Sequence, residues 1–265
     1  VTALKRILAV IPARYGSTRL PGKPLKPICG KPLVQWVYEG VARSELVTDC
    51  VVATDDDRIV AAVEEFGGRA LKSDQEFPNG SERTAWCAAE LVAEEAVRWD
   101  TVVNVQGDIP FLIGKELDSA ISMLAQGGFE LTTVASPITK QEDYHDPSVV
   151  KVVVGALSQA LYFSRAPVPH ARDAVYVPPL KHIGLYVFKP DFLKTYASLP
   201  VTPIEQMESL EQLRVLAHGF RIGVSVSEED WLRQSVEVDT EEGLAKAEEL
   251  ARAFDKLLAQ GGKPS

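Results

Sequence analysis

The segment IPARYGSTRLPGKPL (11–25) carries three cations, Arg14, Arg19 and Lys23, interleaved with Gly16 and Gly22. A triphosphate needs several cations and backbone N–H groups converging on it, and small residues let the main chain approach closely. Pro21 and Pro24 stiffen such a loop. The glycine spacing matches neither the dinucleotide fingerprint nor the Walker A loop. A carboxylate that could face the loop is Asp108, at the end of VNVQGD (103–108). Magnesium prefers oxygen ligands and takes one or two protein carboxylates together with substrate phosphates. By residue type alone, Asp108 is equally a turn or capping residue. Asp239, in VEVDTEEGL (236–244), reads more readily as an N-cap with acidic first-turn residues behind it.

These residues must be held by elements, and the sequence has a clear rhythm. Short β-branched runs, ILAVI (7–11), CVVAT (50–54) and TVVNV (101–105), alternate with helical patterns near 32–43, 57–66, 81–98 and 114–126. That predicts an α/β fold with a largely parallel sheet, which places ligands at the carboxyl ends of its strands. ELTTVAS (130–136), VVKVVV (149–154), ALYFSRA (160–166) and HIGLYVF (182–188) follow closely and predict a mixed or antiparallel extension. Helices are expected over 209–218 and 241–258, the latter a packing helix, and the tail GGKPS is expected to fray. Asp55, Asp56 and Asp57 follow a strand as the acidic metal motif of glycosyltransferases does, but a helix-capping role for at least one fits better. In NGSERTAW (79–86), Ser81 could cap the next helix, although Glu82 falls too early for a capping box on that assignment.

Bulk properties exclude several classes. A net charge of −9 argues against non-specific binding of nucleic acid. Cys29, Cys50 and Cys87 have neither zinc-ligand nor disulfide-framework spacing. The opening VTALKRILAVIPARYG lacks a long apolar core before Pro12, and no apolar run reaches the roughly 18 residues of a membrane span. A cytoplasmic protein without membrane or nucleic-acid partners is expected.

The phosphate-loop segment, VVATDDDRI (51–59), NGSERTAW, VNVQGD, ALYFSRAPVP (160–169), HIGLY (182–186), ESLEQLRVL (208–216) and VEVDTEEGL occur in the order and at the approximate spacing seen in 3-deoxy-manno-octulosonate cytidylyltransferases. Over residues 6 to about 250 the chain resembles that family. The resemblance implies a Rossmann-like nucleotidyltransferase fold in a single domain spanning 1–265, with about 155–222 shaping the sugar pocket and a homodimer interface. It implies transfer of CMP from CTP to the acidic sugar, with release of pyrophosphate, for lipopolysaccharide biosynthesis.

Residue by residue, it assigns Arg14, Arg19 and Lys23 to catalysis. Arg14, Gly16, Ser17, Arg19, Lys23, Thr54, Asp55, Gly80, Ser81, Arg83 and Gln106 would bind the nucleotide. Gln106, Arg165, His182, Tyr186, Glu211 and Gln212 would bind the sugar. Asp108 and Asp239 would bind Mg2+, which reverses the capping preference for Asp239. Taken singly, His182 reads as an inward-facing strand residue and Glu211 with Gln212 as a solvated helix face. Family members commonly read QGDEP where this chain has Ile109, which bears on metal-site hydration. His170 stands where an aromatic is common, which bears on sugar preference. A nucleotidyltransferase for a sialic acid or an amino-substituted octulosonate, a silent nucleotide-binding protein and a glycosyltransferase are the rival readings.

Overall fold

The computed structural model describes residues 6–17, 19–112, 114–172, 178–227 and 236–259, so GGKPS lies outside the described residues. Its strands are β1 (Ile7–Ala13), β2 (Pro27–Ile28), β3 (Lys31–Pro32), β4 (Asp49–Thr54), β5 (Ala70–Lys72), β6 (Thr101–Val105), β7 (Leu131–Pro137), β8 (Lys151–Val154), β9 (Ala160–Ser164), β10 (Leu180–Phe188) and β11 (Ile222–Val226). Its helices are α1 (Leu33–Val41), α2 (Asp57–Glu65), α3 (Gly80–Glu95), α4 (Gly114–Gln126), α5 (Gln141–His145), α6 (Pro190–Ser198), α7 (Pro203–Glu208), α8 (Gln212–Ala217) and α9 (Glu241–Ala259).

The main sheet runs β11-β7-β10-β6-β1-β4-β5, with β8 and β9 attached through β10. β1 pairs in parallel with β4 and β6, and β4 with β5. β10 is antiparallel to both β6 and β7, and the β8–β9 hairpin is antiparallel too. The expected parallel sheet with a mixed extension is therefore what forms. Side-chain alternation along β1 explains the layering. Ile7, Ala9, Ile11 and Ala13 join one buried cluster with residues of α1, α2, α4 and α9. Leu8 and Val10 join the other, with residues of α3, α6 and α8.

Two expected helices end differently, each for a backbone reason. The pattern over 81–98 stops at Glu95, because Ala96 adopts a left-handed conformation at φ 52°. The stretch expected from 209 begins as a helix only at Gln212, because Ser209, at φ 51°, closes the preceding helix α7. That helix starts with a capping box, Thr202 and Glu205 around Pro203 at the first helical position.

Candidate functional site

Because β1, β4 and β6 are parallel neighbours, the loops that follow them leave the same edge of the sheet. Arg14 to Gly22 follow β1, Asp55 follows β4, and Gln106 to Asp108 follow β6. β10 runs the other way, which brings its beginning to that edge, where Gln106 N–H donates to the Gly184 carbonyl at 3.1 Å. β10 is irregular between Ile183 and Tyr186, and a side chain on Gly184 would overlap Gln106 Oε1 at 2.6 Å. Glycine there makes room for Gln106 beside the site.

The first loop is folded on itself. Gly22 N–H and Ser17 N–H both donate to the Tyr15 carbonyl, at 3.1 and 2.9 Å, and Gly22 sits at φ 66° against the Tyr15 ring. The Ser17 hydroxyl accepts the Leu20 N–H at 3.4 Å. Asp55 pins the loop to α3 by accepting from Tyr15 N–H at 3.2 Å and from Arg83 at 3.2 Å. Thr54 is buried and its hydroxyl accepts the Asp56 N–H at 3.3 Å, so its side chain shapes this turn. Asp56 caps α2 through Arg58 N–H, as expected for the acidic run. Arg14 and Gly16 stand exposed, and among the described residues Arg14 has no hydrogen-bond or ion-pair partner.

Lys23 reaches from this loop to both candidate metal carboxylates. Its Nζ donates to Asp108 Oδ2 at 2.9 Å and to Asp239 Oδ1 at 2.6 Å, and Arg19 pairs with the other Asp239 oxygen. Burial works against the Lys23 ammonium, yet Asp108 and Asp239 together hold its pKa above the usual lysine value. Burial likewise works against the Asp239 carboxylate, but Lys23 and Arg19 hold its pKa low. Asp239 is not the helix cap that sequence physics favours. Thr240 takes that place, its hydroxyl accepting the Gly243 N–H at 3.0 Å at the start of α9, which leaves the Asp239 carboxylate to the site. The two segments are tied by Val238 N–H to the Asp108 carbonyl at 2.9 Å.

A divalent ion fits this pair. Two carboxylates converge on one cation, and Asp108 Oδ1 is buried with no hydrogen-bond partner. Among the described residues no group of three or more metal-ligating side chains is gathered, so an ion here would draw further ligands from phosphate or water. Ile109 is turned away into the apolar core at 2% exposure, so this departure lines the core and not the metal site.

On the other side of the site the polar groups are buried. The cap of α3 is Asn79, not Ser81, because the Asn79 side chain accepts the Glu82 N–H at 2.9 Å. That frees Ser81: its N–H donates to Glu211 Oε2 at 3.3 Å and its hydroxyl accepts from Asn104 at 3.1 Å. Burial pushes the Glu211 pKa up to about 7. His182 shares a hydrogen bond with the Thr133 hydroxyl at 2.8 Å, and burial pushes its pKa down to about 3. Tyr186 donates to Gln212 Oε1 at 3.0 Å. Gln212 Nε2 and Asn104 Oδ1 are buried and unpartnered, polar atoms that a bound molecule could satisfy. Arg165 donates three bonds to carbonyls, those of Glu208, Pro147 and Ser209, at 2.8, 2.9 and 3.4 Å. A guanidinium has five N–H donors, so two remain for a ligand. His170 is exposed.

Sequence reasoning missed Asn104 and Glu237. An amide within the otherwise apolar run TVVNV was the available signal for Asn104. Glu237 lies two positions before Asp239. Although Glu237 is exposed overall, the protein around its carboxyl and the charges of Asp108 and Asp239 raise its pKa above the usual glutamate value.

The fold and this geometry have known counterparts. Residues 8–222 match the cytidylyltransferase family. The chain is 44% identical over 241 residues to an 8-amino-3,8-dideoxy-manno-octulosonate cytidylyltransferase of Shewanella piezotolerans, covering 90% of this chain and 95% of that protein. It is 43% identical over 243 residues to a 3-deoxy-manno-octulosonate cytidylyltransferase of Acaryochloris marina, covering 91% of this chain and 96% of that one. Among solved structures it matches a CMP:2-keto-3-deoxy-manno-octonic acid synthetase complexed with CTP, at a TM-score of 0.84 and 36% identity, over 94% of this chain and 100% of that chain.

Proposed function

The chain belongs to the cytidylyltransferase family, and we propose that it transfers CMP from CTP to 3-deoxy-manno-octulosonate, the activation step that feeds lipopolysaccharide biosynthesis. The observation that carries this reading is Lys23 held between Asp108, just past β6, and Asp239, just before α9, beside the cationic loop. In the reaction the anomeric hydroxyl oxygen bonds to the α-phosphorus of CTP while the bond to the β-phosphate oxygen breaks and pyrophosphate leaves. Arg14, Arg19 and Lys23 neutralise the triphosphate and the departing pyrophosphate. Catalysis of this kind comes from alignment and charge stabilisation rather than from a covalent intermediate. Mg2+ bound by Asp108 and Asp239 would withdraw charge from the phosphates and acidify the anomeric hydroxyl.

Gly80, Ser81 and Arg83, at the start of α3, are assigned to the cytosine, with Gly16, Ser17, Thr54 and Asp55 shaping the nucleotide pocket. Gln106, Arg165, His182, Tyr186, Glu211 and Gln212 are assigned to the sugar. Arg165 takes its carboxylate through the two remaining N–H donors, because a planar fork suits that group. In Arg165→Lys the sugar KM should therefore rise by about tenfold with the CTP KM nearly unchanged. An equal rise in both would make Arg165 structural.

The whole chain acts as one nucleotidyltransferase domain, with about 155–222 contributing the sugar pocket and a homodimer interface. Among the described residues β9 pairs only with β8 and leaves Leu161 at 55% exposure, and Leu157, four residues earlier, is 79% exposed. A monomer mass at micromolar concentration would count against the dimer. A CTP-consuming enzyme of this kind acts in the cytoplasm, and among the described residues no helix is long and apolar enough to cross a membrane. The amino-substituted sugar is the second reading, favoured by the 44% identity to an enzyme named for it. A pyrophosphate-release screen of CTP, UTP, ATP and GTP against both octulosonates tests the proposal. Turnover with CTP and 3-deoxy-manno-octulosonate supports it, preference for the 8-amino sugar supports the second reading, and no release with either sugar refutes both.

A further inference from the structure

Arg214 lies three residues beyond Glu211 on the same face of α8, and its side chain is only 3% exposed. Its guanidinium grips Glu205 on α7 with two bonds, from Nε at 2.9 Å and Nη2 at 2.7 Å. From Nη1 it donates to Glu82 Oε1 on α3 at 3.0 Å and to the Leu199 carbonyl at 3.5 Å. It also stands 4.9 Å from the centre of the Tyr196 ring, and the Tyr196 hydroxyl donates to Glu211 at 3.4 Å. Glu211 in turn accepts the Ser81 N–H, and Ser81 adjoins Glu82. The contacts close into a ring through Ser81, Glu211, Tyr196, Arg214 and Glu82.

Two bonds of this ring run side by side between α3 and the start of α8, and they differ in strength. The one from Ser81 N–H to Glu211 is long, at 3.3 Å, while the one from Arg214 to Glu82 is shorter, at 3.0 Å, part-buried and charge-assisted. A buried ion pair is often no more stabilising than apolar residues of the same size, so stability alone does not account for an arginine at this place. A fork that grips two elements does fix their spacing.

We propose that Arg214 is a positioning residue. Through Glu82 it sets the distance between the first turn of α3, which carries Ser81, and the start of α8, which carries Glu211 and Gln212. This rests on the reading above in assigning the first group to the nucleotide and the second to the sugar. The first turn of α3 has further anchors in the Asn79 cap and the Asn104 bond to Ser81, at 2.9 and 3.1 Å, whereas Glu211 is held by longer bonds from Ser81 and Tyr196, at 3.3 and 3.4 Å, so the α8 side is the one that loosens when the tie is cut.

The test uses Glu82→Gln, which weakens the tie and keeps the Arg214–Glu205 grip, together with Arg214→Lys. In the ligand-free protein the Ser81 amide should exchange its hydrogen about tenfold faster in Glu82→Gln. With substrates, the sugar KM should rise about tenfold while the CTP KM stays within about twofold of wild type. Arg214→Lys should act in the same direction, and the double variant should add little to the larger single effect. Unchanged Ser81 exchange, or a lowered melting temperature with no KM split, would overturn the positioning role. So would an equal rise in both KM values. The exchange measurement needs no substrate. A wild-type enzyme inactive on every acidic sugar would thus refute the functional reading while leaving the spacing claim to be judged on Ser81.

Discussion

On the side of the site proposed for the phosphates, Lys23 is paired with Asp108 and Asp239 at 2.9 and 2.6 Å, at side-chain exposures of 15–24%, and this pairing outweighs the burial that works against charge on Lys23 and Asp239. On the side proposed for the sugar, burial governs: His182 is held neutral with a pKa of about 3, and Glu211 is pushed up to about 7. The difference matches two kinds of recognition. Paired ions in partial contact with water can exchange partners, which suits a polyanion and a divalent cation. Buried neutral groups read hydroxyls by hydrogen bonding, where a missing partner typically costs about 1–3 kcal/mol.

The comparison breaks first if the aspartates are dispensable. Asp108→Asn and Asp239→Asn should each lower turnover by roughly 10²–10³-fold, the usual effect of removing one electrostatic stabiliser, and raise the Mg2+ concentration needed for half activity. Wild-type metal dependence in both variants would end the assignment. Lys23→Ala should fold normally and lose about tenfold or more in turnover. Near-normal turnover in a folded Lys23→Ala protein would remove it from the phosphate site.

The sugar side is sharpened by pH. Glu211 in the folded chain keeps its proton up to about 7, while the unfolded carboxyl releases it near 4.5, so this group's contribution to stability falls as pH rises between those values. His182 acts in the opposite sense. The folded ring stays neutral down to about 3 while the unfolded one protonates below about 6.5, so its contribution is lost as pH falls through that window. The melting temperature of Glu211→Gln, relative to wild type, should therefore climb from pH 4.5 to 7. That of His182→Gln should decline over pH 4 to 6.5. Parallel, pH-independent offsets would show that burial does not set these charges. The smallest effect is a control on the other side: Thr240→Ala should cost about 0.5–2 kcal/mol of stability, as cap losses do, with metal dependence unmoved.

Much of the scaffold was legible because alternation and helical spacing are local. β1, β4 and β6, and the helices α1 to α4, follow from patterns within a dozen or so residues each. β5 escaped the same reading because a strand of 3 residues carries too few alternations, and β11, as long as β6, because Gly223 interrupts its β-branched run. α7 had a legible start in its capping box. The cap of α3 was misplaced by two residues. With Asn79 as the cap, Glu82 falls at the third helical position, where a capping box would put it.

By itself the sequence determined that a cationic, glycine-bearing loop follows the first strand and that a carboxylate follows closely on the strand TVVNV, since both depend only on neighbouring residues. Tertiary structure decided what those groups do. Asp239 could have capped α9, but Thr240 occupies the cap and Lys23, 216 residues away, takes the aspartate. Glu211 could have been a solvated helix residue, but Ser81, 130 residues away, and the surrounding core enclose it and shift its proton affinity. Partner choice and local dielectric depend on which distant segments meet at the sheet edge, and residue spacing along the chain carries neither.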